Sequence, residues 1–395
     1  ARASGTPQRS GDHFCPLFAD VRRATMLLAE PLSDADATAQ SMPDASPAKW
    51  HLAHTTWFFE TMVLAPSLPG YSVFDDRYNY LFNSYYDSIG DRHPRPARGM
   101  ITRPSLDEIR DYRAHVDAGI EALIAKRPDP AVLALIELGC HHEQQHQELL
   151  LTDILHLFAQ NPLHPAYRPP VPLPAGNTRA APLSFASVEG GIVSIGHGGE
   201  GFAFDSEGPR HKVLLEPFRL ADRPVTNGEW AAFIEAGGYD DPLLWLSEGW
   251  AVAQSRGWRA PLYWQQREGE WWSMTLRGFQ PVDPVAPVSH VSLFEADEGL
   301  ERQDEAVQYL LEALSLCQCC HPAQQGLRLL TVSGLPLPAT HQLHQRGLQL
   351  VTQGFEFTIA YHLVSSTVSA LEEDYARHHE VAMGQLTVGQ SPLLA

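Results

Sequence analysis

Residues 161–184, NPLHPAYRPPVPLPAGNTRAAPLS, constrain the fold more than any other stretch of this chain. Proline lacks a backbone N–H and fixes φ, so neither a regular helix nor a central strand runs through so many of them; an extended, semi-rigid connector is expected. The chain therefore divides here, and its texture differs on the two sides. Upstream, glycine is sparse and apolar residues recur at helical spacing. Downstream, glycine and tryptophan are frequent, and short strand-like runs alternate with turn signals.

Four helical segments are legible upstream. One begins at Arg22-Arg23-Ala24, and a second covers 47–64. A third runs from Leu106 to Ala125, where Ser105 caps the first turn and Glu108 completes a capping box. The fourth spans 131–158. Helices of this length predict a four-helix bundle over residues 1–160. Residues 185–297, with strand candidates at 191–196 and 212–215, predict an α+β domain, so the chain is expected to be an α+β multidomain protein. Residues 298–395 differ again: 298–316 suits an amphipathic helix, and the rest is rich in Gln, His and Leu, with no tryptophan after Trp272 and no lysine after Lys212.

A formal net charge of −19, from 47 acidic and 28 basic residues, argues against a nucleic-acid or anionic-membrane partner, either of which needs a basic face. No apolar run approaches the roughly 18–20 residues that span a bilayer. The first residues carry two arginines with no apolar stretch behind them, so no signal peptide is expected. The cysteines, Cys15, Cys140, Cys317, Cys319 and Cys320, are odd in number and do not form a secreted disulfide pattern, so a reducing cytoplasm is the expected location. The sequence sets no oligomeric state. Histidine stands out at 19 residues, several of them clustered.

The sharpest cluster is Cys140-His141-His142-Glu143-Gln144-Gln145-His146. His142 and His146 are four apart on a predicted helix, so both imidazoles leave one face within reach of one ion, whereas His141 points elsewhere. The segment fits H-E-x-x-H, in which two histidines hold zinc and the glutamate activates water. A metzincin, however, would need glycine and histidine where this chain has Leu149 and Thr152. Upstream, His51 and His54 are three apart, and either suits the bundle interior. One of them with His142 and His146 would make a three-histidine site with open coordination positions. Imidazoles alone suit Fe, Zn, Cu or Ni.

The segments PAKWHLAHTTWFFE, LFNSYYDSIGDRHPRPARG and HHEQQHQELLLTDILH resemble the DinB-like bundle of ergothioneine-type sulfoxide synthases. GGIVSIGHGGEGFAFDSEGPRHKVLLEPFRLADRPVTNGEWAAFIEAGGYDDPLLWLSEGWA is similar to the formylglycine-generating-enzyme-like, C-type-lectin-like α+β domain that follows it there. The resemblance implies Fe(II) held by His54, His142 and His146. It implies an enzyme that joins a thiol, cysteine or γ-glutamylcysteine, to C2 of the hercynine imidazole, consuming O2 and leaving a sulfoxide. Tyr85, ahead of Tyr86, matches the phenols that serve the reaction. Gln145 matches a contact to the imidazole substrate. Arg95 and Arg98 match the arginines that hold the thiol substrate's carboxylates, a task suited to the planar guanidinium fork.

The resemblance covers residues 15–297. Beyond Asp297 the family's tryptophan-bearing helix, R-L-P-T-E-x-E-W-E type motif, W-x-W segment and G-G-S strand do not appear. The lectin-like core draws on both halves of its domain, so the first half is expected to lack partners for part of its apolar surface. In the family the betaine's trimethylammonium and carboxylate are also bound from that part. Alternatives therefore stand beside the synthase: an ovothiol- or selenoneine-type synthase, a DinB-like thiol-dependent transferase using Zn or Ni, and a catalytically inactive metal-binding relative. Cys317-Gln318-Cys319-Cys320-His321 and His378-His379 lack a second spaced dyad and are expected to be incidental.

Overall fold

The computed structural model describes residues 11–84, 86, 88–171, 180–199 and 201–298. The first part forms α1 (Gly11–Ala29), α2 (Asp34–Thr38), α3 (Ala48–Phe58), a π-helical turn (Phe59–Leu64) running into α4 (Ala65–Ser67), α5 (Tyr78–Phe82), a 3-10 turn (Arg95–Met100), α6 (Leu106–Ala125) and α7 (Pro130–Ala159). The long helices α1, α3, α6 and α7 correspond to the four that the sequence signals, except that α1 starts at Gly11, well before the start expected at Arg22. α6 starts at the expected capping box: Ser105 Oγ accepts from the Glu108 N–H at 3.2 Å, and the Glu108 carboxylate accepts from the Ser105 N–H at 2.7 Å. Its inner stripe, Ile109, Tyr112, Val116, Ile120 and Leu123, is buried at three- and four-residue spacing. α7 opens on Pro130, which suits a first helical turn because its missing N–H has no partner to lose there.

Of the segment 47–64, Pro47 precedes the first turn and 48–64 is helical throughout but not all α. After Phe58 it widens into the π-turn, which apolar periodicity does not signal. Phe58, Phe59 and Glu60 are consecutively buried there. Gly139 on α7 lets the two aromatic rings in: a Cβ at that position would lie 2.5 Å from Phe59 and 2.9 Å from Phe58.

Within the bundle three of the long helices meet on one carboxylate, and the fourth is tied to it through the same arginines. Glu143 on α7 accepts from Arg22 Nη1 (2.7 Å) and Thr25 Oγ1 (2.6 Å) on α1, and from Arg113 Nη2 (2.7 Å) on α6. The same arginines reach α3, Arg22 donating to Thr56 Oγ1 and Arg113 to the Leu52 carbonyl. Burial pushes the Glu143 carboxyl up, but Arg113 and Arg22 outweigh it and hold it down at about 2. Breaking such a buried, fully bonded set from one side costs about 3–5 kcal/mol, because the partners stay buried without their counter-charge. This network fixes the rotation of α7 about its axis.

Contacts divide the chain into two compact units, one of residues 1–171 with Met274–Phe279 and one of the remainder. In the second, β1 (Phe185–Val188) and β2 (Gly191–Ile195) are followed by β3 (His211–Leu215) and β4 (Phe218–Ala221). β1 pairs antiparallel with β4, and β2 with β3. After them in the chain come α8 (Asn227–Glu235), α9 (Ser247–Arg256), β5 (Trp264–Arg267), β6 (Glu270–Thr275), β7 (Gly278–Pro281) and α10 (Leu293–Glu298), the end of β6 and the start of β7 being counted with the first unit. The strand candidates at 191–196 and 212–215 are thus β2 and β3, which pair with each other.

A core of Trp230, Phe233, Tyr239, Leu244, Trp245 and Ala253 forms around α8 and α9. Within it Tyr239 donates to the Glu295 carboxylate at 2.5 Å and accepts from Trp230 Nε1–H at 3.3 Å, joining α10 to α8. One face of the β2–β3 ribbon is bare: the cross-strand partners Ile192 and Leu214 are 72% and 67% exposed. Among the described residues no helix is long and apolar enough to cross a membrane. The helix expected over 298–316 lies outside the described residues beyond Glu298, as do Cys317, Cys319, Cys320, His321, His378 and His379.

Candidate metal centre

α3 and α7 present their histidines to one another. The ligand atoms of His54, His142 and His146 all lie within 4.8 Å of one another. Ring centroids are 5.0 Å apart for His54–His142, 4.9 Å for His54–His146 and 4.7 Å for His142–His146. Helical geometry explains the pair on α7, since four residues bring a side chain back to the same face. From α3 both His51 and His54 face inward, but only His54 joins the cluster; His51 stands behind His146.

Each ring is held. His54 Nδ1 lies 2.6 Å from the Phe82 carbonyl, an acceptor only, so this nitrogen carries the proton and Nε2 keeps its lone pair. Trp50 and Trp57, four residues before and three after His54, lie nearly parallel to its ring at 4.6 Å and 5.6 Å. Phe58 packs on His142 at 5.2 Å. The Trp50-x3-His54-x2-Trp57 spacing on a helix is a sequence signal for this sandwich.

Burial pushes the pKa values of all three histidines down: His54 and His146 well below the usual imidazole value, each with the neighbouring His142 as the next cause, and His142 to about 4. The rings are therefore neutral at neutral pH, the form a metal requires. Among the described residues His142 Nδ1 is buried without a hydrogen-bond partner. Three neutral imidazoles from two helices, one with an orphaned buried nitrogen, fit a divalent transition metal.

The glutamate of H-E-x-x-H is not available to activate a water. Glu143 is one residue on from His142, about 100° further round α7, and its oxygens are taken by Arg22, Thr25 and Arg113. The zincin role is excluded by this bonding. Cys140 is buried, and burial pushes its thiol up, so it is an inert core residue.

The other expected site residues are placed as follows. Arg98 is buried, donates to Ser46 Oγ (2.9 Å) and Ser84 Oγ (3.2 Å), and lies 3.4 Å over the Trp50 ring. Arg98, Trp50, His54 and Trp57 thus form one stacked column. Arg95, half-buried, donates to the Asp44 carbonyl. Tyr86, half-buried, packs 5.3 Å from Trp57, which stacks on His54. Gln145, beside His146, is exposed. Tyr85 lies outside the described residues. The residues not singled out from sequence are Trp50, Trp57 and Asp153. Asp153 lies seven residues after His146, on the same helical face, and meets His51 at 3.0 Å.

Two families match the chain in order: the DinB superfamily over residues 17–150 and the Sulfatase-modifying factor enzyme 1-like domain over residues 172–299. Hercynine oxygenase of Mycolicibacterium smegmatis is 33% identical over 285 residues, 70% of this chain and 62% of the relative. Hercynine oxygenase of Mycolicibacterium thermoresistibile is 30% identical over 283 residues, 70% of this chain and 60% of the relative. Formylglycine-generating enzyme of Streptomyces coelicolor is 43% identical over 51 residues, 13% of this chain and 16% of that protein. The chain therefore spans about three fifths of the length of the two hercynine oxygenases.

Proposed function

We propose that this chain, by its sequence and domain order a protein of the ergothioneine sulfoxide synthase type, is a non-haem Fe(II)- and O2-dependent oxidoreductase acting on hercynine. The observation that carries the proposal is the convergence of His54, His142 and His146 on one point between α3 and α7. The reaction joins a thiol, R–SH, to the imidazole C2–H. O2 supplies the sulfoxide oxygen and leaves with both hydrogens as water, so the two substrates are oxidised by four electrons and O2 is fully reduced.

Bound Fe(II) would supply open coordination positions that gather the reactants and favour thiolate over thiol. The protein's part is to orient and to exclude water. Trp50 and Trp57 clamp His54 in its plane, and Phe58 covers His142. Arg98, already fixed by Ser46, Ser84 and Trp50, and Arg95 hold the carboxylates of the thiol substrate, cysteine or γ-glutamylcysteine. Gln145 contacts the imidazole substrate. Tyr86, packed beside Trp57, and its neighbour Tyr85 supply the phenol that delivers a proton.

The test is direct. Anaerobic protein is reconstituted with Fe(II), supplied with hercynine and cysteine or γ-glutamylcysteine, and exposed to air. Mass spectrometry should show the sulfoxide, and His142→Ala should abolish it. Folded, iron-loaded protein that forms no product with either thiol would refute the activity.

A further inference from the structure

The contacts behind His146 determine which of its nitrogens faces the site. Asp153 Oδ2 accepts from the Ser46 N–H at 2.8 Å and lies 3.0 Å from His51 Nε2. His51 Nδ1 in turn lies 2.8 Å from His146 Nδ1. A carboxylate accepts and does not donate, so the proton on His51 is at Nε2. A neutral His51 then presents a lone pair at Nδ1. With His51 in that neutral form, the 2.8 Å contact places the proton of His146 at Nδ1 and leaves the His146 lone pair at Nε2.

We propose that Asp153 and His51 are positioning residues that set His146 as an Nε2 ligand. The assignment rests on the three-histidine centre proposed above. The relay is internal, with His51 3% and Asp153 13% exposed at their side chains, so water competes little for these bonds. Ligand and anchor also share one helix: His146 and Asp153 both belong to α7, and His51 bridges them from α3. His54 reaches the same tautomer through a different acceptor, the Phe82 carbonyl, and is the natural internal reference. A carboxylate-backed imidazole accepting from the ligand's N–H also raises the basicity of the ligating nitrogen. Loss of such a partner typically costs about 10–100-fold in metal affinity.

The assignment is tested in the metal-free protein by 15N NMR of labelled histidines, together with the dissociation constant for Co(II), a spectroscopic stand-in for Fe(II). Wild-type protein should show His146 as the Nδ1–H tautomer and His51 as the Nε2–H tautomer. In His51→Leu the His146 signals should move toward a tautomer mixture, with the His54 signals unchanged and Co(II) binding weakened about 10–100-fold. His51→Asn, whose amide oxygen can accept from His146 Nδ1–H, should restore both readouts. His146 found as Nε2–H in wild type would overturn the proposal, and that measurement needs no variant to fold. An unchanged His146 tautomer with unchanged affinity in His51→Leu would overturn it equally. Wild-type protein that binds no metal would instead refute the proposed centre, while the tautomers would still be read separately.

Discussion

Glu143→Gln separates two roles for the glutamate of the H-E-x-x-H segment. A water-activating glutamate would be replaced at little cost in stability and great cost in catalysis. The bonding at Glu143 gives the opposite expectation. Its carboxylate is fully buried and is the counter-charge to Arg22 and Arg113, which are 3% and 2% exposed. The amide keeps the shape but removes the charge, and its NH2 faces donors. Arg22 retains Asp117 at 2.7 Å, whereas among the described residues Arg113 keeps only neutral acceptors, in α3 and at the Arg22 carbonyl.

Losing one partner of such a set costs about 3–5 kcal/mol. For a unit of this size that lowers Tm by about 6–20 °C, at about 2–4 °C per kcal/mol. Thermal unfolding followed by helical circular dichroism measures it, and metal content at a temperature where the variant is folded should equal that of wild type. A shift below about 2 °C would refute the stapling role assigned to Glu143. The sign of the pH dependence follows from the same bonds. The folded-state pKa is depressed to about 2, so this contribution is present in full above the ordinary carboxylate pKa of about 4.5 and is lost as pH falls through about 2. Glu143→Gln should flatten that acid limb relative to wild type.

Gly139→Ala places a methyl against Phe58 and Phe59 with no room for it; destabilisation of about 1–3 kcal/mol is expected by denaturant titration, despite alanine's better helix propensity. Tyr239→Phe removes the hydrogen bond to Glu295 and leaves a buried carboxyl short of a donor, so the second unit should lose about 1–3 kcal/mol, read by tryptophan fluorescence. Trp50→Leu removes the ring between Arg98 and His54 and should weaken metal binding, whereas removing the exposed apolar partner in Ile192→Thr should leave it unchanged; equilibrium dialysis distinguishes the two.

The bundle was legible because its signals are local. Ser105 with Glu108 marks the start of α6, and the four-residue step from His142 to His146 names one face of a helix. What sequence spacing could not supply is the partner across space. Both His51 and His54 have the spacing to face inward, and both do; choosing the one that joins the cluster depends on the packing of α3 against α7. Glu143 illustrates the same limit, since its motif suggests chemistry while its three donors come from α1 and α6, at sequence separations of 121, 118 and 30 residues. The π-turn after Phe58 escaped the pattern because widening a helix by one residue leaves it helical in composition. Arg98 stands out in its motif, but its place in the column with Trp50 and His54 is a tertiary fact.

The central claim is that His54, His142 and His146 together bind Fe(II), and anaerobic titration with Fe(II) tests it most directly. Wild-type protein should take up one ion per chain, and the alanine variant of each of the three histidines, still folded by circular dichroism, should lose that site. Wild-type protein that binds no Fe(II), or a His142→Ala variant that binds it as tightly as wild type, would contradict the claim.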